Sequence, residues 1–307
     1  MKHFIDLKDI TAAEMMDLLD LADQLKADLK AGRRYDLLSG KTLGMIFAKS
    51  STRTRISFEV GMAQLGGQAL YLNTQDIQLG RGESVADTAR VLSRFLDAIM
   101  IRTYAHQDVL DLAAYGSIPI INGLTDLMHP CQALADLMTI RERKGTLKGL
   151  KLAYLGDGNN VANALLQACA RAGMDVAVAA PEGYTCDPGC IADAREQAAL
   201  QGSQVILTED PAEAAHQADV LYTDTWVSMG QESEKAERVA RFGAYQVNDA
   251  IMAMARPGAI FLHCLPAYRG LEVTESVIDG PASVIFDEAE NRLHAQKAIL
   301  IRLLNPQ

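Results

Sequence analysis

Positive charge is in deficit: 29 Lys and Arg stand against 39 Asp and Glu, a net charge of -10 at pH 7. A nucleic-acid binder ordinarily carries a basic surplus, so general binding to a phosphate backbone is not expected. A small phosphorylated ligand needs only a local basic pocket and stays allowed. Long apolar runs are also missing. The longest stretch free of Asp, Glu, Lys and Arg, Leu112 to Thr125, contains Gly116 and Pro119. It falls short of the ~20 apolar residues of a membrane helix, so no membrane association is expected. The opening residues, Met1-Lys2-His3-Phe4-Ile5-Asp6, meet an acid too early for a secretory signal. Cysteines are few and odd in number: Cys131, Cys169, Cys186, Cys190 and Cys264. Such a set in a chain of this size reads as a reducing, cytoplasmic compartment rather than a disulfide framework. Cys186 and Cys190 have the spacing of half a metal site, but no second ligand pair follows. Short-period repeats and low-complexity tracts are absent as well.

What remains is an ordinary globular composition, 49% hydrophobic and 22% charged over 307 residues. That length predicts roughly two domains of ~150 residues. The first half alternates apolar runs with helical periodicity. Strands are expected at Thr42 to Ala48, Ala69 to Leu72, Ala98 to Ile101 and Ile118 to Ile121. Helices are expected at Arg53 to Leu65, Ser84 to Leu96 (Ser84 as N-cap, Asp87 completing a capping box), Gln107 to Tyr115 and Pro130 to Arg143. After the polar bridge Lys144 to Gly149 the pattern restarts. Strands follow at Lys151 to Leu155, Val176 to Ala179, Gln204 to Leu207, Val220 to Tyr222, Ala259 to Leu262 and Val284 to Phe286. Helices are expected at Val161 to Ala172, Cys190 to Leu200, Glu234 to Phe242, Gln246 to Ala255 and Glu290 to Leu304. Repeated strand–helix alternation predicts an α/β protein of two doubly wound, mostly parallel sheets linked by helices.

The chemistry-bearing residues cluster at strand ends. Ser51-Thr52-Arg53-Thr54-Arg55 follows a strand and opens a helix, where hydroxyls, backbone N–H groups and the helix dipole converge on an anion. Arginines add charge-assisted donors. The plain alternative is a capped helix with solvated arginines. Arg102 ends another strand, at the edge where open α/β sheets bind ligands. His129-Pro130-Cys131-Gln132 begins a helix, with Pro130 suited to its first position. Alone, His129 reads as a capping or packing residue; three such elements together point to an anion or carbonyl site.

In the second half, Gly156-Asp157-Gly158-Asn159-Asn160 between strand and helix invites a dinucleotide reading. Val161 stands where the third glycine belongs, and its branched side chain obstructs the close packing that glycine permits. Asn159 and Asn160 can serve a zwitterionic ligand or cap the helix. Asp224 ends a strand, where a carboxylate binds an ammonium group. The segment beyond it, Thr225 to Gly230, is a candidate lid, and Trp226 reads as packing. His263-Cys264-Leu265-Pro266 ends another strand. Cys264 is either a titrating thiol at the crevice or small apolar filler, and Leu265-Pro266 is a candidate cis bond.

Taken together, Ser51-Thr52-Arg53-Thr54-Arg55, His129-Pro130-Cys131-Gln132, Asp224-x-x-x-Ser228-Met229-Gly230, His263-Cys264-Leu265-Pro266 and Phe286-Asp287-Glu288-Ala289-Glu290-Asn291-Arg292 resemble the aspartate/ornithine transcarbamylase family. The last three motifs resemble its ornithine-specific side. The resemblance implies carbamoyl transfer from carbamoyl phosphate to the side-chain amine of L-ornithine, giving L-citrulline and phosphate. It further implies no metal and no organic cofactor, and a homotrimer or a multiple of trimers. The carbamoyl phosphate domain would comprise residues 1–130 plus 291–307, the final helix returning to it, and the ornithine domain residues 131–290, with the reaction at the cleft between them. By position, Ser51, Thr52, Arg53, Thr54, Arg102, His129, Gln132, Cys264, Leu265 and Arg292 would surround carbamoyl phosphate, with Gln78 reaching a neighbouring subunit's site. Leu124, Asn160, Asp224, Ser228 and Met229 would hold ornithine. Thr54, Arg102 and His129 would stabilise the oxyanion, Arg53 the departing phosphate, and Asp224 with Cys264 would ease deprotonation of the amine. The pocket would be locally basic around Arg53, Arg55 and Arg102. Putrescine, N-acetylornithine and aspartate are the rival acceptors. Asp224 favours a free α-ammonium and so disfavours the last two. A dinucleotide-dependent oxidoreductase and a non-catalytic carbamoyl phosphate sensor are the rivals of other classes.

Overall fold

Short apolar runs separated by helical stretches build two parallel sheets, each within its own compact unit. The computed structural model describes residues 1–78, 82–227, 230 and 232–305. One unit comprises residues from Met1 to Ala135 and from Glu290 onward; the other is Asp136–Ala289.

The first unit opens with helix α1 (Ala12–Lys30), started by a reciprocal capping box in which Thr11 and Glu14 satisfy each other's backbone. Then come β1 (Thr42–Phe47), α2 (Thr52–Gln64), β2 (Gln68–Asn73), α3 (Val85–Leu92), β3 (Ala98–Arg102), α4 (His106–Tyr115), β4 (Ile120–Leu124) and the start of α5 (Pro130–Lys144). The strands pair in parallel in the order β2-β1-β3-β4. Ile46, Ile99, Ile101 and Ile120 bury one face against Val109 and Leu112 of α4. Burial of this kind is what a parallel sheet requires of each face. Ser84 caps α3 as its sequence position predicts, its Oγ accepting from the Asp87 N–H at 3.1 Å. Strand β4 starts two residues later than the apolar run suggests. Pro119 lacks an N–H and contributes only its carbonyl, which accepts from Ile99 at 3.0 Å.

The second unit continues with β5 (Lys151–Leu155), α6 (Asn160–Ala172), β6 (Asp175–Ala179), α7 (Pro188–Gln201), β7 (Val205–Thr208), α8 (Pro211–Ala215), β8 (Val220–Tyr222), α9 (Lys235–Phe242), α10 (Asp249–Met254), β9 (Ile260–Leu262), α11 (Glu275–Ile278) and the start of α12 (Ile285–Leu304). Its strands are parallel in the order β7-β6-β5-β8-β9. Helix α10 is shorter than its periodicity suggests because Asn248 caps it. Val247 instead donates its N–H to the Glu272 carbonyl at 2.9 Å.

The expected strand at Val284 to Phe286 is a correction. Only a single bridge, Ser283 to Phe261, forms there, and Ile285 opens α12. A strand would put Val284 and Phe286 on one face, yet Val284 is buried and Phe286 is 74% exposed. Ile285 and Glu288 are buried as well, and their separation is helical spacing. Among the described residues no helix is long and apolar enough to cross a membrane.

In each sheet two adjacent strands send their connections in opposite directions: β1 and β3 in the first unit, β5 and β8 in the second. The carboxyl ends of such strand pairs form the crevice where α/β sheets bind ligands.

Candidate active site

In the first unit, that crevice collects Ser51, Thr54 and Arg102. Ser51 is the N-cap of α2, its Oγ accepting from the Thr54 N–H at 3.2 Å and donating to Thr54 Oγ1 at 3.0 Å. Arg292 of α12 donates from Nη2 to Thr54 Oγ1 at 2.8 Å and from Nη1 to Gln132 Oε1. Thr54, Gln132, His129 and Arg292 are all buried. Four of the expected anion-binding residues are therefore joined by direct bonds, at the positive end of a helix dipole. Pro130 does occupy the first position of α5. Burial, and then the charges of Arg292, Arg102 and Arg53, hold the His129 imidazole well below the ordinary histidine range. It is thus a neutral group within the electrostatic reach of three guanidiniums, and its Nδ1 has no hydrogen-bond partner among the described residues.

Thr52 is exposed and Arg53 half-buried on the first turn of α2. Arg55 does not extend the basic cluster. Its Nε donates to Glu59 at 2.9 Å and its guanidinium lies 4.0 Å over the Tyr71 ring. Cys131 is sealed in, with its thiol pushed up to about 12 by burial. Gln78 is exposed, its carbonyl accepting from the Glu83 N–H. Leu124, expected beside the ornithine residues, lies in this first unit opposite Arg102 in the β3–β4 register.

In the second unit, the β5–β8 crevice brings Asn159 to Asp224. Gly156 turns the chain there with φ +140°, a value that side chains rarely adopt. A Cβ on Gly158 would lie 2.4 Å from the Cys186 nitrogen, so both glycines serve backbone geometry. Asn159 caps α6, its Oδ1 accepting from Val161 and Ala162. Asn160, one residue on, is the half-buried first residue of the helix. Asp224 Oδ2 accepts from Asn159 Nδ2 at 2.9 Å, and Oδ1 accepts from Cys264 Sγ at 3.2 Å. Burial and then the neighbouring Asp224 charge push the Cys264 thiol well above its ordinary value. The titrating thiol considered from sequence is therefore replaced by a protonated donor to a carboxylate. Ser228 and Met229 lie outside the described residues. Trp226 packs as expected, its ring stacked 6.0 Å from Phe242.

The strand-end segment after β9 is braced by carboxylates that the sequence did not single out. Glu288 Oε2 accepts from the His263 N–H at 2.9 Å, and Oε1 from the Tyr222 hydroxyl at 3.2 Å. Burial and the adjacent Asp136 raise the Glu288 carboxyl well above the ordinary range. His263 Nδ1 accepts from the Leu265 N–H at 2.9 Å while Nε2 faces Glu272 Oε1 at 3.4 Å. Leu265 is left-handed at φ 60° and Leu265–Pro266 is cis. A sequence signal for Glu288 existed: it stands one helical turn after Ile285, inside the Phe286 to Arg292 motif.

Among the described residues, Asp224, His263 and Cys264 are the one group of three with metal-ligating atoms within 4.8 Å of one another. All three hydrogen-bond internally, so an ion would have to displace those bonds.

An anion cradle at one switch point and a fixed carboxylate at another are the equipment of an α/β group-transfer enzyme. Residues 2–142 match the carbamoyl-P binding domain of aspartate/ornithine carbamoyltransferases, and residues 148–303 match the Asp/Orn binding domain. The chain belongs to the aspartate/ornithine carbamoyltransferase family. It is 57% identical to an ornithine carbamoyltransferase of Caldicellulosiruptor saccharolyticus, covering 98% of each chain. It is 58% identical to the "ornithine carbamoyltransferase, anabolic" of Pyrococcus furiosus over 97% of this chain and 95% of the relative. A solved ornithine carbamoyltransferase from Pyrococcus furiosus superposes with a TM-score of 0.97 at 56% identity, covering 100% of this chain and 98% of the other.

Proposed function

We propose that this chain is a transferase that moves the carbamoyl group of carbamoyl phosphate to the δ-amine of L-ornithine, giving L-citrulline and phosphate. The observation that carries this reading is the bonded set Ser51, Thr54, Gln132 and Arg292 at the α2 N-terminus, with a neutral His129 in the field of Arg102 and Arg53. It supplies donors for a phosphate and for a developing oxyanion in one place. The 58%-identical relative carries the name "ornithine carbamoyltransferase, anabolic", which supports the biosynthetic sense of the reaction.

The uncharged δ-amine attacks the carbonyl carbon, the carbon–oxygen bond to phosphate breaks, and the proton the amine loses is taken up by the departing phosphate. Thr54, Arg102 and neutral His129 stabilise the oxyanion. Ser51, Thr52, Arg53, Gln132 and Arg292 hold the phosphate end. Asp224 receives the α-ammonium, with Asn160, Leu124, Ser228 and Met229 shaping the acceptor site. Cys264 keeps its proton and orients Asp224, while Leu265 lines the reaction centre. Carbamoyl phosphate is already activated, so the reading invokes no metal or cofactor. Addition is ordered, carbamoyl phosphate first, because its charge completes the pocket that receives the amine. The working form is a cytoplasmic homotrimer in which Gln78 serves a neighbouring site.

Citrulline formation with stoichiometric phosphate release tests the reaction, and its absence contradicts the reading. Light scattering tests the assembly. A trimer has three times the 33.3 kDa chain mass or a multiple of that, and a monomer contradicts it.

A further inference from the structure

We propose that Asn159 is a positioning residue: its side-chain amide locks the Asp224 carboxylate in the orientation that receives the α-ammonium of ornithine. This inference rests on the acceptor site just described and adds a residue to it.

The two ends of the Asn159 amide have separate employments. Its Oδ1 accepts from the Val161 N–H at 2.9 Å, the Ala162 N–H at 3.2 Å and the Tyr154 hydroxyl at 3.4 Å. The first two are orphan donors of the first turn of α6, which a capping oxygen satisfies. With the oxygen committed, only the NH2 end can face Asp224, and Nδ2 donates to Oδ2 at 2.9 Å. A flipped amide would set its oxygen against the carboxylate and its NH2 against two N–H donors, so one orientation is strongly favoured.

The consequence falls on Asp224. Asn159 occupies one lone pair of Oδ2, and Cys264 Sγ occupies one of Oδ1 at 3.2 Å. The carboxylate plane is thereby pinned from both sides by donors that bring no formal charge. Each oxygen keeps lone-pair capacity for an incoming ammonium. Asp224 retains little exposure, so bulk water cannot substitute for a missing donor at low cost. Capping alone does not call for asparagine, because serine, threonine and aspartate cap as well. The donor toward Asp224 does call for the amide.

The test uses Asn159→Ser and Asn159→Thr, which retain a capping oxygen and lack the amide donor. Steady-state kinetics on each substrate and thermal unfolding are measured with the wild-type chain in parallel. The expected result is a KM for ornithine raised roughly 10- to 100-fold, the loss typical of a hydrogen bond to a charged group, with Tm and the carbamoyl phosphate KM close to wild type. A folded variant with an unchanged ornithine KM overturns the proposal. So does a rise of both KM values together with a fall in Tm, which marks a structural role only. A wild-type chain that forms no citrulline overturns the acceptor-site reading and this proposal with it, and that result appears before any substitution is made.

Discussion

Arg292 donates from Nη2 to the Thr54 hydroxyl at 2.8 Å although 238 positions separate them in sequence. Its other terminal nitrogen bonds Gln132, so one guanidinium ties α12 to the starts of α2 and α5. Lysine is a point charge and cannot make this two-armed contact. Arg292→Lys is expected to lower kcat/KM for carbamoyl phosphate by roughly 10- to 100-fold, the range for losing a charge-assisted bond. Steady-state kinetics with carbamoyl phosphate as the varied substrate check this.

Arg53 and Arg102 both direct charge at the His129 end of the cradle. Removing one preorganised donor to charge that develops in the transition state, on the oxyanion for Arg102 and on the departing phosphate for Arg53, typically lowers rate by about 10²–10³. Arg53→Ala and Arg102→Ala should each lose at least that much kcat/KM while circular dichroism stays native. Near-normal turnover in both variants would remove the phosphate-site assignment.

The His129 pKa gives a stability prediction with a definite sign. Burial and three arginines hold it well below 6.5 in the folded chain; unfolding returns it to about 6.5. As pH falls below 6.5 the unfolded state gains a proton that the folded state refuses, so stability is lost on acidification, by up to about 1.4 kcal/mol per pH unit from this group. Denaturant unfolding between pH 7.5 and 5.5 should therefore show a shallower pH slope for His129→Gln than for wild type. Equal slopes contradict the assignment.

Cys264 keeps its proton because burial and Asp224 both oppose a thiolate. The thiolate is the reactive form toward alkylating agents. Iodoacetamide at pH 7.5 should label Cys264 far more slowly than a free cysteine, as followed by mass spectrometry. Cys264→Ser, which retains a donor to Asp224, should preserve measurable turnover, whereas Cys264→Ala should lose more.

Much of the site was legible because its parts are local. Ser51, Arg102, His129 and Asp224 each lie within two residues of a strand end or a helix start, and short-range pattern places such residues well. Arg292 entered the carbamoyl phosphate set only through the family resemblance, and its bond to Thr54 is long-range, which no local pattern encodes. Asn159 showed in sequence as a cap or a ligand group; its second bond, to Asp224, depends on β5 and β8 being neighbours, which no local pattern encodes. Val284 to Phe286 read as a strand because three apolar residues do not reveal their period; the buried Glu288, held by His263 and Tyr222, fixes it as helical. Arg55 read as part of a basic pocket, yet Glu59 one helical turn on engages it. Helix α1 was announced by Thr11 and Glu14, a capping box three residues apart, that the strand–helix reading passed over.

The acceptor comparison is the most direct measurement of the central claim. The chain is supplied with carbamoyl phosphate and, in parallel, with L-ornithine, putrescine, N-acetylornithine or aspartate, and the carbamoylated product is quantified. The account predicts citrulline from ornithine, with kcat/KM for every other acceptor lower by at least about 10²-fold, because a buried Asp224 without its ammonium partner is left unpaired. Carbamoylation of putrescine or N-acetylornithine at a rate matching or exceeding that of ornithine would contradict it.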